Sequence, residues 1–481
     1  MYSRALWLAY ATALALPAPQ AAVPYCLSEE SCFPDDATLA AFNRTINGAL
    51  WPKSRMTMVT DTGVMYTNLE QISEIGCPLP DPTADGIAPA AIESECTLGN
   101  MPSYVVYATS TAQIVKAIEF AAEHNLRLRI KNSGHDYTGR SSGVGSLAIW
   151  ARHLISTDAV SAFIAEGCDN AEGHDVVVAG SGVNVEELYN WGAENGQVTI
   201  GGYTTTVSAA GGYILGGGLD ILQVETVTAD GQVGIANGCQ NSDLFWALRG
   251  GGGAFGVTTR IWPLSYPALA AVNTVAGQVG CQDYESSPDL SIAWETMRWL
   301  CVTKAFMTLI NIIPYQSQAD VRTANETLEE VQAVFLGSAS WNDVYQGVVW
   351  PVAQPGSKIG INLHDHSRLV SYDALHDEKR QLIRTQSSRS RPRFCLSGKT
   401  TSVQPDGRNA FAFIDVPVFG PWSGTTAEQN ATSYYNEQYD STNWQVDFFG
   451  SNYERLLNIK NSIDPNKVFN RPLCVGSEDG H

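Results

Sequence analysis

The sequence predicts an α+β protein, built as one large composite domain or as two. Three observations predict it. Residues 104–131 read as a β-α-β unit, strand and helix signals alternate from there to residue 262, and residues 270–430 form a second block of mixed pattern. In the first unit Tyr104-Val105-Val106-Tyr107 reads as a strand. Ala112 to His124 places Ile114, Ile118, Ala121 and Ala122 at helical spacing, and Leu126 to Ile130 alternates apolar and basic residues like a strand with one buried face. Ser146 to Trp150 and Asp175 to Ala179 follow as strands, with Val183 to Asn195 as a helix. Asp230-Gly231, between Val224–Thr228 and Val233–Ala236, is a hairpin turn signal. Ser242 to Arg249 reads as a short helix capped by Asn241 or Ser242, and Val257 to Trp262 as a closing strand. Ser451 to Ser462 is a tail helix that stops at Asp464-Pro465. Residues 23–100 are rich in turns and yield no assignable element.

Composition narrows the class of function. The 481 residues are 44% hydrophobic, enough for a large core, and the net charge of −20 argues against nucleic acid or an anionic membrane as partner. Arg4, the apolar run Ala5 to Leu16 and then Pro17 to Ala22 have the layout of a secretory signal peptide over residues 1–22, cleaved between Ala18 and Ala22. A buried N-terminal helix is the alternative. The run is too short for a membrane span, which needs ~20 apolar residues, and no second segment approaches that length. Ten cysteines, among them Cys26, Cys32, Cys77 and Cys96, suit an oxidising compartment. Asn43, Asn325 and Asn430 each begin an N-x-T sequon, so N-glycans on surface loops are expected of a secreted, extracellular protein.

Two features carry chemistry. The glycine clusters Gly211-Gly212, Gly216-Gly217-Gly218 and Gly250 to Gly253 let backbone approach a ligand and turn N–H groups toward phosphate, or else make tight turns. Their spacing is not that of a nicotinamide dinucleotide fingerprint, and no acidic residue follows at the expected distance. His135 sits in Gly-His-Asp-Tyr-x-Gly directly after a strand, flanked by Lys131 and Arg140 and near the hydroxyls of Ser133, Ser141 and Ser142. That set suits a pyrophosphate beside a neutral imidazole nucleophile; a solvated or structural histidine is the alternative.

The run Lys131-Asn132-Ser133-Gly134-His135-Asp136-Tyr137-Thr138-Gly139-Arg140-Ser141-Ser142-Gly143 resembles the flavin-attachment loop of the berberine bridge enzyme-like oxidases, members of the vanillyl-alcohol-oxidase or PCMH-type flavoproteins. The resemblance extends to Val227–Gly231, Asn241–Gly253, Tyr453–Lys460, Asp464-Pro465 and Cys474–Glu478, and the N-terminal cysteine segment is similar to secreted fungal members. It implies a two-part PCMH-type FAD-binding domain over 99–268, preceded by a cysteine-bearing segment at 23–98. It implies also an α+β substrate domain with a mixed or antiparallel sheet over 269–430, and a berberine-like segment over 431–481 that returns to the FAD domain. By the same resemblance FAD is joined through its 8α carbon to His135. Asn132 to Arg140 wrap the pyrophosphate, and the expected cofactor-binding residues are Asn132, Ser133, Gly134, Asp136, Tyr137, Gly139 and Arg140 of that run together with Ser141, Gly211, Gly212 and Gly217. The adenine side lies near Gly250 to Val257, with Gly253 and Val257 as expected cofactor-binding residues. The implied reaction is hydride transfer from a small organic substrate (an alcohol, sugar or secondary metabolite) to flavin, with dioxygen as acceptor.

Three departures bear on that expectation. Relatives attach flavin a second time through a cysteine, whose position here is held by Thr204 in Gly201–Ser208, so no cysteinyl link is expected. Relatives place about a dozen residues between the glycine triplet and the strand that begins here at Leu222. Only Leu219-Asp220-Ile221 intervene in this chain, which leaves open a flavin-binding but catalytically impaired protein. The relatives' Tyr-x-Asn-Tyr becomes Tyr434-Tyr435-Asn436-Glu437, making Glu437 the candidate base, Tyr434 the fallback and Asn436 a candidate flavin contact. An exposed loop glutamate is the alternative. His364-Asp365-His366 alone does not make a metal site, so no metal is expected. Arg384 to Arg393 reads as a solvated loop, and Trp246 as core packing beside Leu244, Phe245 and Leu248.

Overall fold

The computed structural model describes residues 25–52, 101–136, 139–169, 171–202, 206–268, 271–279, 307–315, 334–338, 362–371, 401–402, 410–420 and 443–478. The signal-like segment, Cys77, Cys96, Asn325, Asn430 and Arg384 to Arg393 lie outside these residues.

The first layer is a four-stranded sheet with one face under helices. Helix α1 (Asp36–Thr45) begins where the Asp35 carboxylate accepts from Thr38 N at 2.8 Å, satisfying one of the free N–H groups of the first turn. After it come β1 (Leu50–Pro52), β2 (Tyr104–Tyr107), α2 (Thr111–Glu123), β3 (Leu128–Lys131) and β4 (Leu147–Trp150), in spatial order β1-β2-β4-β3. Strands β2 and β3 both run parallel to the central β4, as the β-α-β reading requires. Ile114, Ala117, Ile118 and Ala121 of α2 pack with Phe42 of α1, and the rings of Phe42 and Phe120 stack at 4.1 Å.

The second layer is antiparallel. It holds β5 (Thr157–Phe163), β6 (His174–Gly180), α3 (Val185–Glu194), β7 (Gln197–Thr199), β8 (Ile221–Val227), β9 (Val233–Asn237), α4 (Ser242–Leu248), β10 (Val257–Pro263) and β11 (Ser265–Pro267). Its sheet order is β5-β6-β10-β8-β9, and β7 pairs with β11 separately. Helix α3 carries a reciprocal cap, Asn184 Oδ1 accepting from Glu187 N and Glu187 Oε2 from Asn184 N. The hairpin at Asp230-Gly231 joins β8 to β9 with Gly231 at φ 77. Disulfides join Cys26 to Cys32 and Cys168 to Cys239.

Five further strands, β12 (Ala271–Val279), β13 (Met307–Tyr315), β14 (Val334–Ser338), β15 (Asn362–Ser371) and β16 (Ala410–Gly420), pair antiparallel as β13-β12-β14 and β15-β16. His364 and His366 fall on β15, opposite Val418 and Val416. The chain then returns to the second layer. Helix α5 (Tyr453–Ile463) buries Leu456 and Ile459 in the core of Phe245, Trp246, Leu248 and Phe255.

Several sequence expectations need correction. Residues 23–52 hold α1 and β1, which the turn-rich composition hid. Asn241 occupies the position before α4 but in a left-handed conformation (φ 48). Its side chain donates to Ile235 O at 2.7 Å instead of capping the helix. The tail helix begins at Tyr453, after a 3-10 turn over Gly450–Asn452. Asn43 lies on α1 and not in a loop, and its carboxamide oxygen accepts from Leu50 N at 2.9 Å.

Candidate flavin site

The loop that follows β3 is folded back on itself at two glycines. Gly134 (φ 82) and Gly139 (φ 70) hold left-handed conformations that residues with a Cβ adopt at a cost. Asp136, between them, and Arg140, directly after the second, clasp the turn. The carboxylate accepts from Arg140 N at 2.6 Å, Nη2 at 2.8 Å and Nε at 3.1 Å, and Arg140 is only 2% exposed. The loop's exit is pinned by buried Arg129, whose Nε donates to Ser142 O at 2.9 Å and whose Nη1 donates to Asn470 O at 2.6 Å. Ser141 is buried beside it.

The entry side of the loop meets β6 and the turn before Gly211. Asn132 Nδ2 donates to Ser181 O at 2.6 Å, and Ser133 Oγ accepts from Ser208 N at 3.1 Å. Ser208 Oγ in turn donates to Ser181 O at 2.8 Å and accepts from Gly211 N at 2.9 Å, starting the π-turn Ala209–Tyr213 that contains Gly211 and Gly212. Asn132 and Ser133, from one motif, and Gly211, from another, therefore share one network. Ser181 and Ser208, both 0% exposed, complete it. Neither was singled out in the sequence, though Gly180-Ser181-Gly182 directly after a strand was a legible signal.

His135 is half-buried on the same loop, with Nε2 2.7 Å from Thr206 Oγ1. Burial, and then the charge of Lys131, push its pKa down to about 4. The imidazole is therefore neutral at neutral pH. Thr206 was another residue the sequence reading passed over.

Two buried polar atoms in this network have no partner among the described residues: Asn132 Oδ1 and Ser181 Oγ. Such atoms are costly unless something bonds them. Asn132 Oδ1 can only accept, and Ser181 Oγ can donate. A polyol phosphate supplies both a hydroxyl donor and acceptor oxygens, so the donor set fits the ribityl pyrophosphate of FAD.

Gly217 lies beyond the π-turn, in a connection that is tightly closed. Strand β8 begins at Ile221, so only Leu219 and Asp220 separate it from Gly218. Gly218 N donates to Tyr213 O at 2.7 Å and Leu219 N to the Tyr213 hydroxyl at 3.1 Å. A Cβ on Gly218 would come within 2.6 Å of the Tyr213 ring. Asp220 accepts from Leu264 N at 2.8 Å and, through Oδ2, from the Tyr266 hydroxyl at 2.9 Å.

Val257 is buried in β10 against Val227 and Leu128, and the Gly250–Gly253 run precedes it. That run is gripped by the tail. Lys460 Nζ, on α5, donates to Ala254 O at 2.6 Å, to Phe469 O at 2.8 Å and to Asp464 Oδ2 at 2.5 Å. Trp246 packs in the core, as its neighbours predicted, with the Arg455 guanidinium 3.9 Å over its ring. Tyr137, Thr204, Tyr434, Asn436 and Glu437 lie outside the described residues.

Known proteins match this architecture along nearly its whole length. A family profile described as "FAD binding domain" matches residues 102–234, and one described as "Berberine and berberine like" matches residues 433–476. The FAD-linked oxidoreductase malF of Malbranchea aurantiaca is 30% identical over 556 aligned positions, which cover 94% of this chain and 92% of that protein. The VAO-type flavoprotein oxidase VAO615 of Thermothelomyces thermophilus is 28% identical over 89% of this chain and 83% of its own length. In fold, the crystal structure of the VAO-type flavoprotein MtVAO713 from Myceliophthora thermophila superposes with a TM-score of 0.71 at 21% identity, covering 94% of this chain and 97% of that one. The chain belongs to the FAD-linked oxidoreductases, with an FAD-binding segment at 102–234 and a berberine-like segment at 433–476.

Proposed function

We propose that this oxidoreductase is a secreted oxidase that carries FAD on a single covalent bond, from His135 to the flavin 8α carbon, and oxidises a small alcohol, sugar or secondary metabolite. One observation carries the reading: a neutral imidazole, oriented by Thr206, on a loop folded back at Gly134 and Gly139. An unprotonated ring nitrogen is what a covalent link to an electrophilic carbon needs. Thr204, where relatives hold a second attachment cysteine, supports a single link.

In this reading Asn132, Ser133 and Ser181 hold the ribityl chain and phosphates. The Asp136–Arg140 clasp keeps the loop shaped for them, with Gly134, Tyr137, Gly139, Ser141, Gly211, Gly212 and Gly217 alongside and Gly253 and Val257 toward the adenine. The chemistry that FAD supplies when bound is acceptance of a hydride equivalent and delivery of the electrons to an acceptor, here dioxygen. Glu437, with Tyr434 as fallback, is the proposed base for the substrate proton, and Asn436 a proposed flavin contact. Paired cysteines and the signal-like N-terminus support secretion, with glycans at Asn43, Asn325 and Asn430.

The test is the visible spectrum of the secreted protein before and after acid precipitation, beside His135→Ala. A yellow wild-type pellet that the variant lacks supports the reading, and a colourless wild type overturns it. Anaerobic bleaching by candidate donors then separates an oxidase from a protein that binds flavin without turnover.

A further inference from the structure

We propose that Arg471, in the C-terminal segment, binds the AMP half of FAD. The proposal rests on the preceding reading in one respect, that the flavin end lies at His135.

Position is the first argument. The guanidinium of Arg471 lies against Gly253, so close that a Cβ there would collide with Nη2. The residue before it, Asn470, accepts from Arg129 Nη1, and Arg129 Nε donates to Ser142 O at the exit of the His135 loop. A continuous path therefore runs from His135 through Gly139 and Ser142 to Arg129, Asn470 and Arg471. A dinucleotide with its flavin at one end of that path presents its other half at the far end.

Charge is the second. Arg127, Arg129, Lys460 and Arg471 gather near one another in a protein of net charge −20. Arg129 is pushed down to about 10 by burial and then by Arg127 and Arg471. Asp464 is engaged with Lys460 and with the backbone of Val468 and Phe469. Gathering like charges is unfavourable unless an anion joins them.

Free donors are the third. Arg129 spends donors on three backbone carbonyls, those of Leu128, Ser142 and Asn470, whereas Arg471 has no hydrogen bond or ion pair among the described residues. A guanidinium matches phosphate oxygens with paired donors and stacks on an aromatic base. The AMP half offers both.

The experiment uses the full chain carrying His135→Ala, in which flavin exchange is reversible, and titrates FAD and FMN by flavin fluorescence. FMN has the flavin, ribityl chain and one phosphate but no AMP. Adding Arg471→Ala should weaken FAD roughly ten- to a hundredfold and leave FMN unchanged, and Arg471→Lys should fall between. Equal weakening of FAD and FMN overturns the proposal, because it shows a general disturbance of the loop. Unchanged FAD affinity overturns it too, while leaving the flavin reading intact. If no variant binds FAD and the wild type is colourless, the flavin reading itself fails.

Discussion

His135 Nε2 lies 2.7 Å from the hydroxyl of Thr206, seventy-one positions along the chain. The contact occupies one ring nitrogen and leaves Nδ1 with no partner among the described residues. The expected attachment atom is therefore Nδ1, and a flavin-bearing peptide isolated by proteolysis should show it by NMR. Thr206→Val, which removes the hydroxyl and keeps the shape, should slow covalent incorporation roughly tenfold, about the rate effect of one lost hydrogen bond. Thr206→Ser should retain it. Acid-stable flavin followed over time after adding FAD to flavin-free protein reads both.

The same histidine makes the flavin-free protein acid-sensitive in a defined window. Its pKa is about 4 when folded, against about 6.5 in an unfolded chain, so between those values the unfolded state binds more protons. Stability contributed at this site is full above pH 6.5 and is lost as pH falls toward 4. Partial exposure of the ring keeps the loss below about 3 kcal/mol. Urea denaturation at pH 7 and pH 4.5 should show a smaller drop for His135→Ala than for wild type; equal drops would place the acid sensitivity elsewhere.

The short connection after Gly218 should behave as a packed unit and not as slack chain. Gly218→Ala drives a methyl into the Tyr213 ring and should cost about 1–3 kcal/mol. Tyr213→Phe removes only the acceptor of the Leu219 N–H and should cost about 1 kcal/mol. Burial pushes the Tyr213 hydroxyl up to about 12, so the loop should be indifferent to pH across the range in which the protein is handled. Urea midpoints of the two variants check the order. A tolerated Gly218→Ala would mean that the connection is looser than this packing.

What was legible in the sequence follows from how local each signal is. The unit from β2 to β3 was readable because α2 places Ile114, Ile118 and Ala121 on one buried face, after the strand-forming run Tyr104–Tyr107 and before the apolar–basic alternation of Leu126 to Ile130. Strand β5 was not, because its residues Asp158 to Ala162 are all exposed and carry no alternation. Helix α1 was missed because it buries only Leu39 and Phe42 over ten residues. The His135 loop was legible as one contiguous run. Its partners were not: Ser181 and Ser208 reach Asn132 and Ser133 from 49 and 75 positions away, and Arg129 meets Asn470 across 341. Side chains that converge only in the fold leave no spacing to read.

The tail should prove as necessary to the glycine run as the loop that holds His135. Lys460 is 1% exposed and Asp464 equally buried, so this pair is shielded from solvent, unlike the exposed pair Arg455–Asp243 nearby. Lys460→Met keeps the length of the side chain but strands the Asp464 carboxylate and the carbonyls of Ala254 and Phe469 in the core. Removing one partner of a buried pair costs about 3–5 kcal/mol, whereas Arg455→Ala should cost about 1 kcal/mol or less from the ion pair. Because Ala254 directly follows Gly250–Gly253, the run proposed to lie toward the adenine, the loss should also be felt in cofactor retention. Lys460→Met that still folds at low temperature should retain less flavin than Arg455→Ala of equal purity. Thermal unfolding and the ratio of 450 nm to 280 nm absorbance measure the two effects separately. A Lys460→Met protein with full flavin content and unchanged melting would show that the tail merely covers the run and does not hold it.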